Sequence, residues 1–165
     1  MKNTNPYSLR TGLGYDIHRM SFGRPCVIGG VTLPFPYGPD GHSDGDVLTH
    51  AICDALLGAA GEPDIGNLFP NTDPQYQGID SQKLLGQVNR RLREKNFQII
   101  NIDATVVAQK PSLQKHRETI AKTLSRTLGL EPGQVNIKAT TNEQLDAIGQ
   151  GLAISAQAIC LLFRE

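Results

Sequence analysis

Apolar side chains recur at Val47, Leu48, Ala51, Ile52, Ala55, Leu56 and Ala59. Steps of three and four residues mark one face of a helix. Gly61 and Pro63 are placed to stop it, and its start is expected near Ser43 or Asp44. A second stripe, Leu84, Leu85, Val88 and Leu92, predicts a helix over residues 81–95. A third, Leu113, Ile120, Leu124 and Leu128, predicts one opening after Pro111, with Ser112 as N-cap and Gly129 as its end. Elsewhere the period shortens. Residues 11–20, 98–109 and 152–163 read as strands, and residues 25–33 as a hairpin turning at Gly29 and Gly30. Val135, Ile137 and Ala139 alternate with polar neighbours, as a half-buried strand does.

The resulting order, ββ(β)-α-α-β-α-β-β, predicts an α/β (α+β) fold, a mixed β-sheet with helices on one face. Residues 34–41 and 64–79 are loops rich in Pro and Gly. The second is long enough to suggest a functional loop. With no repeat or low-complexity linker, one domain over residues 11–165 is expected, after an N-terminal extension of residues 1–10.

Composition narrows the function classes. Sixteen Lys and Arg balance sixteen Asp and Glu, so no global field draws in nucleic acid or an anionic membrane. Arg90, Arg91, Arg93 and Lys95 read as a solvated helix face. Three cysteines without Cys-x-x-Cys spacing argue against a disulfide scaffold and a cysteine zinc site. No apolar run is long enough to span a bilayer, and residues 1–10 lack a signal-type stretch. A cytoplasmic protein is expected, with no nucleic acid or membrane partner.

Candidate chemistry clusters in three places. Asp16 and His18 are two apart on a predicted strand, so they share a face and make two legs of a metal site. A third leg could come from His42, Asp46, His50 or Asp54, which recur every four residues. Spacing alone does not choose among them. Residues 41–46, Gly-His-Ser-Asp-Gly-Asp, fit either a phosphate-binding helix N-terminus or an ordinary N-cap. Lys138, Ala139, Thr140, Thr141, Asn142 and Glu143 end a strand in hydroxyls, an amide and a carboxylate suited to phosphate and a hard cation.

These strings together resemble the 2-C-methyl-D-erythritol 2,4-cyclodiphosphate synthase family of the non-mevalonate isoprenoid pathway. The likeness is carried by Gly14-Tyr15-Asp16-Ile17-His18, Ile28-Gly29-Gly30-Val31, the segment from Gly41 to Val47 with His50, and Leu68-Phe69-Pro70. Lys138-Ala139-Thr140-Thr141 with Glu143 completes it. The resemblance implies a homotrimer with a central cavity and sites between subunits. Zinc would lie on Asp16, His18 and His50, and a second divalent cation, Mg2+ or Mn2+, on Glu143. The substrate implied is the small cytidine diphosphate compound 4-diphosphocytidyl-2-C-methyl-D-erythritol 2-phosphate, cyclised by a lyase reaction with release of CMP. His42, Thr141 and Glu143 take catalytic positions, and His42 and Ser43 also face the phosphates. Asp64, Ile65 and Gly66, with Phe69, Pro70, Asn71, Thr72 and Asp73, match the erythritol-binding stretch. Ala108, Gln109, Lys110, Pro111, Ser112 and Leu113, with Ala139, Thr140, Thr141 and Asn142, match the cytidine pocket.

One segment departs from the pattern. Gln144, Asp146, Ala147 and Gln150 stand where the family string has Lys, Gly, Phe and Arg, and Leu152-Ala153 replaces Glu-Gly. Ser112 replaces a common Lys, and Asn71 a common Asp. Fewer positive charges imply a weaker phosphate grip. They also imply a trimer cavity without the Arg that binds isoprenoid diphosphates. Two other readings share these residues: a metal-dependent phosphodiesterase on another nucleotide, and a degenerate metal-binding paralogue without this activity.

Overall fold

A computed structural model of the chain describes residues 8–164. Residues 1–7 of the expected N-terminal extension lie outside the described residues, and the first strand, β1, already runs from Leu9 to Phe22. Then follow β2 (Cys26–Ile28), β3 (Val31–Leu33), β4 (Tyr37–Asp40), α1 (Val47–Ala60), α2 (Ile65–Leu68) and a 3-10 turn at Pro74–Tyr76. After these come α3 (Ser81–Glu94), β5 (Phe97–Val107), α4 (Arg117–Leu128), β6 (Val135–Thr140), α5 (Asp146–Gly149) and β7 (Ala153–Arg164).

Five strands form one mixed sheet in the order β4-β1-β7-β5-β6, and β2 pairs with β3 in the expected hairpin. β1 is antiparallel to β4 and β7, β7 is antiparallel to β5, and β5 is parallel to β6. The β5–β6 pair needs a crossover, and α4 supplies it. α1 packs on β1 and β7, α4 packs on β6, and α3 packs on both helices. Among the described residues no helix is long and apolar enough to cross a membrane.

Several local expectations change. α1 begins at Val47, later than expected, because its cap is the Asp46 carboxylate, which accepts from Thr49 N. α4 begins at Arg117 rather than beside Ser112. Leu113 is buried, and its carbonyl accepts from His116 and Arg117, so these residues form a turn before the helix starts. β4 falls where the Pro- and Gly-rich pattern predicts loop, yet it pairs with residues 19–22 at the sheet edge, where Pro is tolerated. Two residues of the basic run are structural: Arg91 and Lys95 pair with Glu62. Arg93 donates to the Leu128 carbonyl. The three cysteines are free and buried.

Candidate metal centre

β1 and α1 meet along a line of small residues. Gly12 and Gly14 point toward the helix, where a Cβ would lie 1.9 Å from the carbonyl oxygens of Ala55 and Ala51 respectively. Only a glycine permits backbones this close. Asp16 and His18 continue the same face of β1. They therefore arrive at the N-terminal end of α1, one residue from Ala51, where His50 stands. α1 is buried around most of its surface, so its polar residues are not a solvated face.

Among the described residues, Asp16, His18 and His50 are the one group whose potential ligand atoms converge, all within 4.8 Å of one another. Asp16 Oδ2 lies 2.9 Å from both His18 Nε2 and His50 Nδ1. The two ring nitrogens are 3.3 Å apart. His18 Nδ1 is 2.8 Å from the Asp40 carbonyl, which can only accept. Nδ1 must therefore carry the proton, and Nε2 presents a lone pair to the centre. Three acceptors at such separations repel unless a cation or a shared proton lies among them. Burial pushes the Asp16 carboxyl up, but the His18 and His50 hydrogen bonds outweigh it and hold it well below the usual range. For His50, burial opposes protonation and is outweighed by the Asp16 contact, with Asp46 and Asp44 adding to it, so its pKa is raised. A carboxylate and two imidazoles are also the donor types a catalytic zinc takes, with one position open.

The other candidate ligands are engaged elsewhere. Asp46 is fully buried; it accepts from Gly29 N (2.8 Å), Gly30 N (2.7 Å), Thr49 N and Thr49 Oγ1, joining the hairpin to α1. This carboxylate occupies the helix N-terminus, so the phosphate-binding alternative for residues 41–46 loses the Thr49 amide. Asp54 accepts from Ile65 N at 2.8 Å and so ties α2 to α1. His42 and Ser43 line the metal-side cavity without joining the ligand group.

That cavity, of about 330 Å³, also includes Ile65, Gly66, Phe69 and Asn71. Tyr76, Ile79 and Leu84 line it as well; the first two fall in the long loop of residues 64–79 and Leu84 on the second apolar stripe, and none is among the expected site residues. Asp64 turns away to accept from Asn67, and Asp73 from Gln75, each capping a short helical turn. Pro70 and Thr72 do not line it. A second cavity, of about 320 Å³, is walled by Ala108, Gln109, Pro111, Ser112, Leu113, Ala139, Thr140 and Thr141, with Gln114 and Arg117. Lys110, Asn142 and Glu143 are not in its wall. The two cavities share no residue.

The model of the YgbB family matches residues 9–163. This chain belongs to the YgbB family. The 2-C-methyl-D-erythritol 2,4-cyclodiphosphate synthase of Desulfosudis oleivorans is 52% identical over 157 residues, covering 95% of this chain and 94% of that protein. The bifunctional IspDF of Campylobacter jejuni superposes with a TM-score of 0.92 at 39% identity, over 95% of this chain and 42% of that longer one. IspF of Plasmodium falciparum, solved as a CDP complex, gives a TM-score of 0.86 at 34% identity over 98% of this chain and 99% of that one.

Within this YgbB-family chain, the segment that departs from the expected string is ordered by its own side chains. Glu143, Gln144 and Asp146 all take positive φ, of 49°, 63° and 54°. Asp146 offsets that strain with its carboxylate: Oδ1 accepts from Ile148 N (2.7 Å) and Gly149 N (3.3 Å), and Oδ2 from Asn142 Nδ2 (2.8 Å). Thr141 Oγ1 donates to Glu143 Oε1 at 2.7 Å. Gln150 and Leu152 are exposed.

Proposed function

We propose that the chain is a 2-C-methyl-D-erythritol 2,4-cyclodiphosphate synthase. It converts 4-diphosphocytidyl-2-C-methyl-D-erythritol 2-phosphate to 2-C-methyl-D-erythritol 2,4-cyclodiphosphate and CMP in isoprenoid biosynthesis. The observation that carries this is the convergence of Asp16, His18 and His50 in a chain 52% identical, nearly end to end, to a synthase of that name.

An oxygen of the 2-phosphate forms a bond to the β-phosphorus. The bond from that phosphorus to the bridging oxygen breaks, and CMP leaves with the oxygen. No water and no side-chain nucleophile are consumed, so catalysis is positioning plus charge neutralisation. When bound, a zinc ion on Asp16, His18 and His50 and a Mg2+ or Mn2+ ion on Glu143 supply Lewis-acid polarisation and offset phosphate charge. His42, Ser43 and Thr141 donate to phosphate oxygens as charge redistributes. Ile65, Gly66, Phe69 and Asn71 wall the erythritol side, with Asp64, Pro70, Thr72 and Asp73 on the adjoining loop. Ala108, Gln109, Lys110, Pro111, Ser112 and Leu113 hold the cytidine, facing Ala139, Thr140 and Asn142.

The register supports assembly as a homotrimer. Ile17 pairs with Ser155, Ser155 with Val107, and Val107 with Thr140, so the metal strand and the end of β6 lie in one row. Three strand spacings separate them, roughly 14 Å at about 4.8 Å each. One diphosphate group does not span that distance, so the two sets of residues in one subunit would not both reach it. A neighbouring copy that sets its nucleotide pocket against this metal centre would complete the site. On the sheet face away from the helices, Leu13 is 71% exposed, and Tyr15, Ile17 and Ile159 about half exposed. An apolar patch of this kind is characteristic of an interface. In such a trimer Gln150 brings no charge to an isoprenoid diphosphate in the central cavity. The enzyme would work in the cytoplasm, as one domain over residues 11–165.

Purified protein with the cytidine substrate, Zn2+ and Mg2+ should release CMP, and His50→Ala should lose both zinc and activity. Absence of CMP above a no-enzyme control would overturn the assignment. Zinc retained stoichiometrically by His50→Ala would overturn the ligand set.

A further inference from the structure

His50 Nε2, the nitrogen turned away from Asp16, lies 2.9 Å from Ser81 Oγ at the start of α3. Ser81 is fully buried. Asp44 grips it at two points: Oδ2 accepts from Ser81 N at 2.9 Å, and Oδ1 accepts from Ser81 Oγ. A carboxylate can only accept. The Ser81 hydroxyl proton is therefore committed to Asp44, and what remains for His50 is a lone pair.

That bears on a choice the metal centre leaves open. His50 Nδ1 is 2.9 Å from Asp16 Oδ2, which favours a proton on Nδ1 in the neutral imidazole. A proton there blocks metal ligation through Nδ1. Ser81 requires the opposite tautomer, with the proton on Nε2. Ser43 Oγ, at 3.1 Å from Nε2, does not decide the matter, because no carboxylate is bonded to its hydroxyl among the described residues. Its proton can turn either way. Ligating imidazoles commonly donate their outer N–H to a fixed acceptor, and losing that acceptor weakens metal binding.

We propose that Asp44 and Ser81 are positioning residues that act through His50, holding it in the tautomer that presents Nδ1 to the metal. This rests on the metal ligand set proposed above. The chain of contacts spans three elements, so it also fixes the start of α3 against α1.

Two variants separate tautomer control from packing. Asp44→Asn removes no heavy atom. Asp44 Oδ1 also accepts from Asp46 N at 3.2 Å, so the amide has two orientations: one keeps its carbonyl on Ser81 N and turns its NH2 to Ser81 Oγ, the other keeps its carbonyl on Asp46 N and Ser81 Oγ and loses Ser81 N. Either way the two-point hold on Ser81 is lost, and in the first orientation the hydroxyl donates to His50 Nε2 and favours the non-ligating tautomer. Ser81→Ala removes the link, and Ser81→Thr restores it. Metal-free protein labelled with 15N at histidine reads the tautomer directly. His50 should carry its neutral-state proton on Nε2 in the parent and in Ser81→Thr, and on Nδ1, facing Asp16, in Ser81→Ala. Zinc affinity, measured by chelator competition, should fall by about 10- to 100-fold in Asp44→Asn and Ser81→Ala and recover in Ser81→Thr. An unchanged His50 tautomer in Ser81→Ala, or zinc affinity within about twofold of the parent in both weakened variants, overturns the inference. A parent that binds no zinc overturns the ligand set instead, and the tautomer result still decides the role of Asp44 and Ser81.

Discussion

Asp16, His18 and His50 stand on β1 and α1, two elements whose backbones touch at Gly12 and Gly14. Glu143, the proposed ligand of the second cation, stands on a loop with three non-glycine residues at positive φ, held by hydrogen bonds among its own side chains and backbone. The first arrangement gets its precision from packing, and its side chains cannot drift without moving a helix. The second gets its geometry from exposed polar contacts that are made and broken at small cost. A site that must bind a permanent metal and also admit and release a nucleotide has use for both. On the proposed function, the packed corner would suit a resident ion, and the looser loop a ligand that comes and goes.

The packed side of this contrast breaks most completely at Gly14. A Cβ there would lie 1.9 Å from Ala51 O and 2.6 Å from Ala55 N, both backbone atoms that no rotamer change can move. Gly14→Ala should push α1 off β1, lowering stability by about 3 kcal/mol or more. His50 is carried away from Asp16 with the helix, so zinc stoichiometry should fall too. A Gly14→Ala protein that unfolds like the parent in urea and still binds zinc would show that the close approach does not set the ligand geometry. The loop side should respond differently. Glu143→Gln should leave stability and zinc content unchanged while slowing turnover on the order of 100-fold. Unchanged kinetics would remove Glu143 from the chemistry.

The same contrast governs what could be read from the sequence. The period of two places Asp16 and His18 on one face, and the helical stripes locate three long helices, because each is a local pattern. The third ligand was not legible. His42, Asp46, His50 and Asp54 share one spacing, and what separates them is tertiary. Asp46 finds the amides of Gly29 and Gly30, Asp54 finds that of Ile65, and His50 finds Asp16. Ser81 carries no local signal, since its bonds run to His50 and Asp44 far away in sequence. α2 and α5, of four residues each, are too short for a helical period to register. The resemblance to a known family supplied the choice of His50 that spacing could not.

The smallest effect, and the finest probe of the loop, is at Asp146. Its positive φ disfavours most side chains, and Asp tolerates it when the carboxylate finds local donors. Here it finds Ile148 N, Gly149 N and Asn142 Nδ2. Gly149 must stay a glycine, because a Cβ there would come within 2.3 Å of the Gln144 backbone, so the donors are held in place. Asp146→Ala keeps the strain and loses the bonds, and should lower Tm by about 2–4 °C. Asp146→Gly loses the bonds but removes the strain, and should lower it less. The Ile148 amide, and after it the Asn142 side chain, hold the Asp146 carboxyl below its ordinary value of 3.8. A carboxylate with a depressed folded pKa stabilises the protein above its unfolded pKa and loses that contribution as pH falls through the folded one. The Tm gap between parent and Asp146→Ala should therefore be full at neutral pH and shrink as pH falls below 3.8. A gap that persists unchanged in acid would assign the effect to the shape of the side chain rather than to its charge.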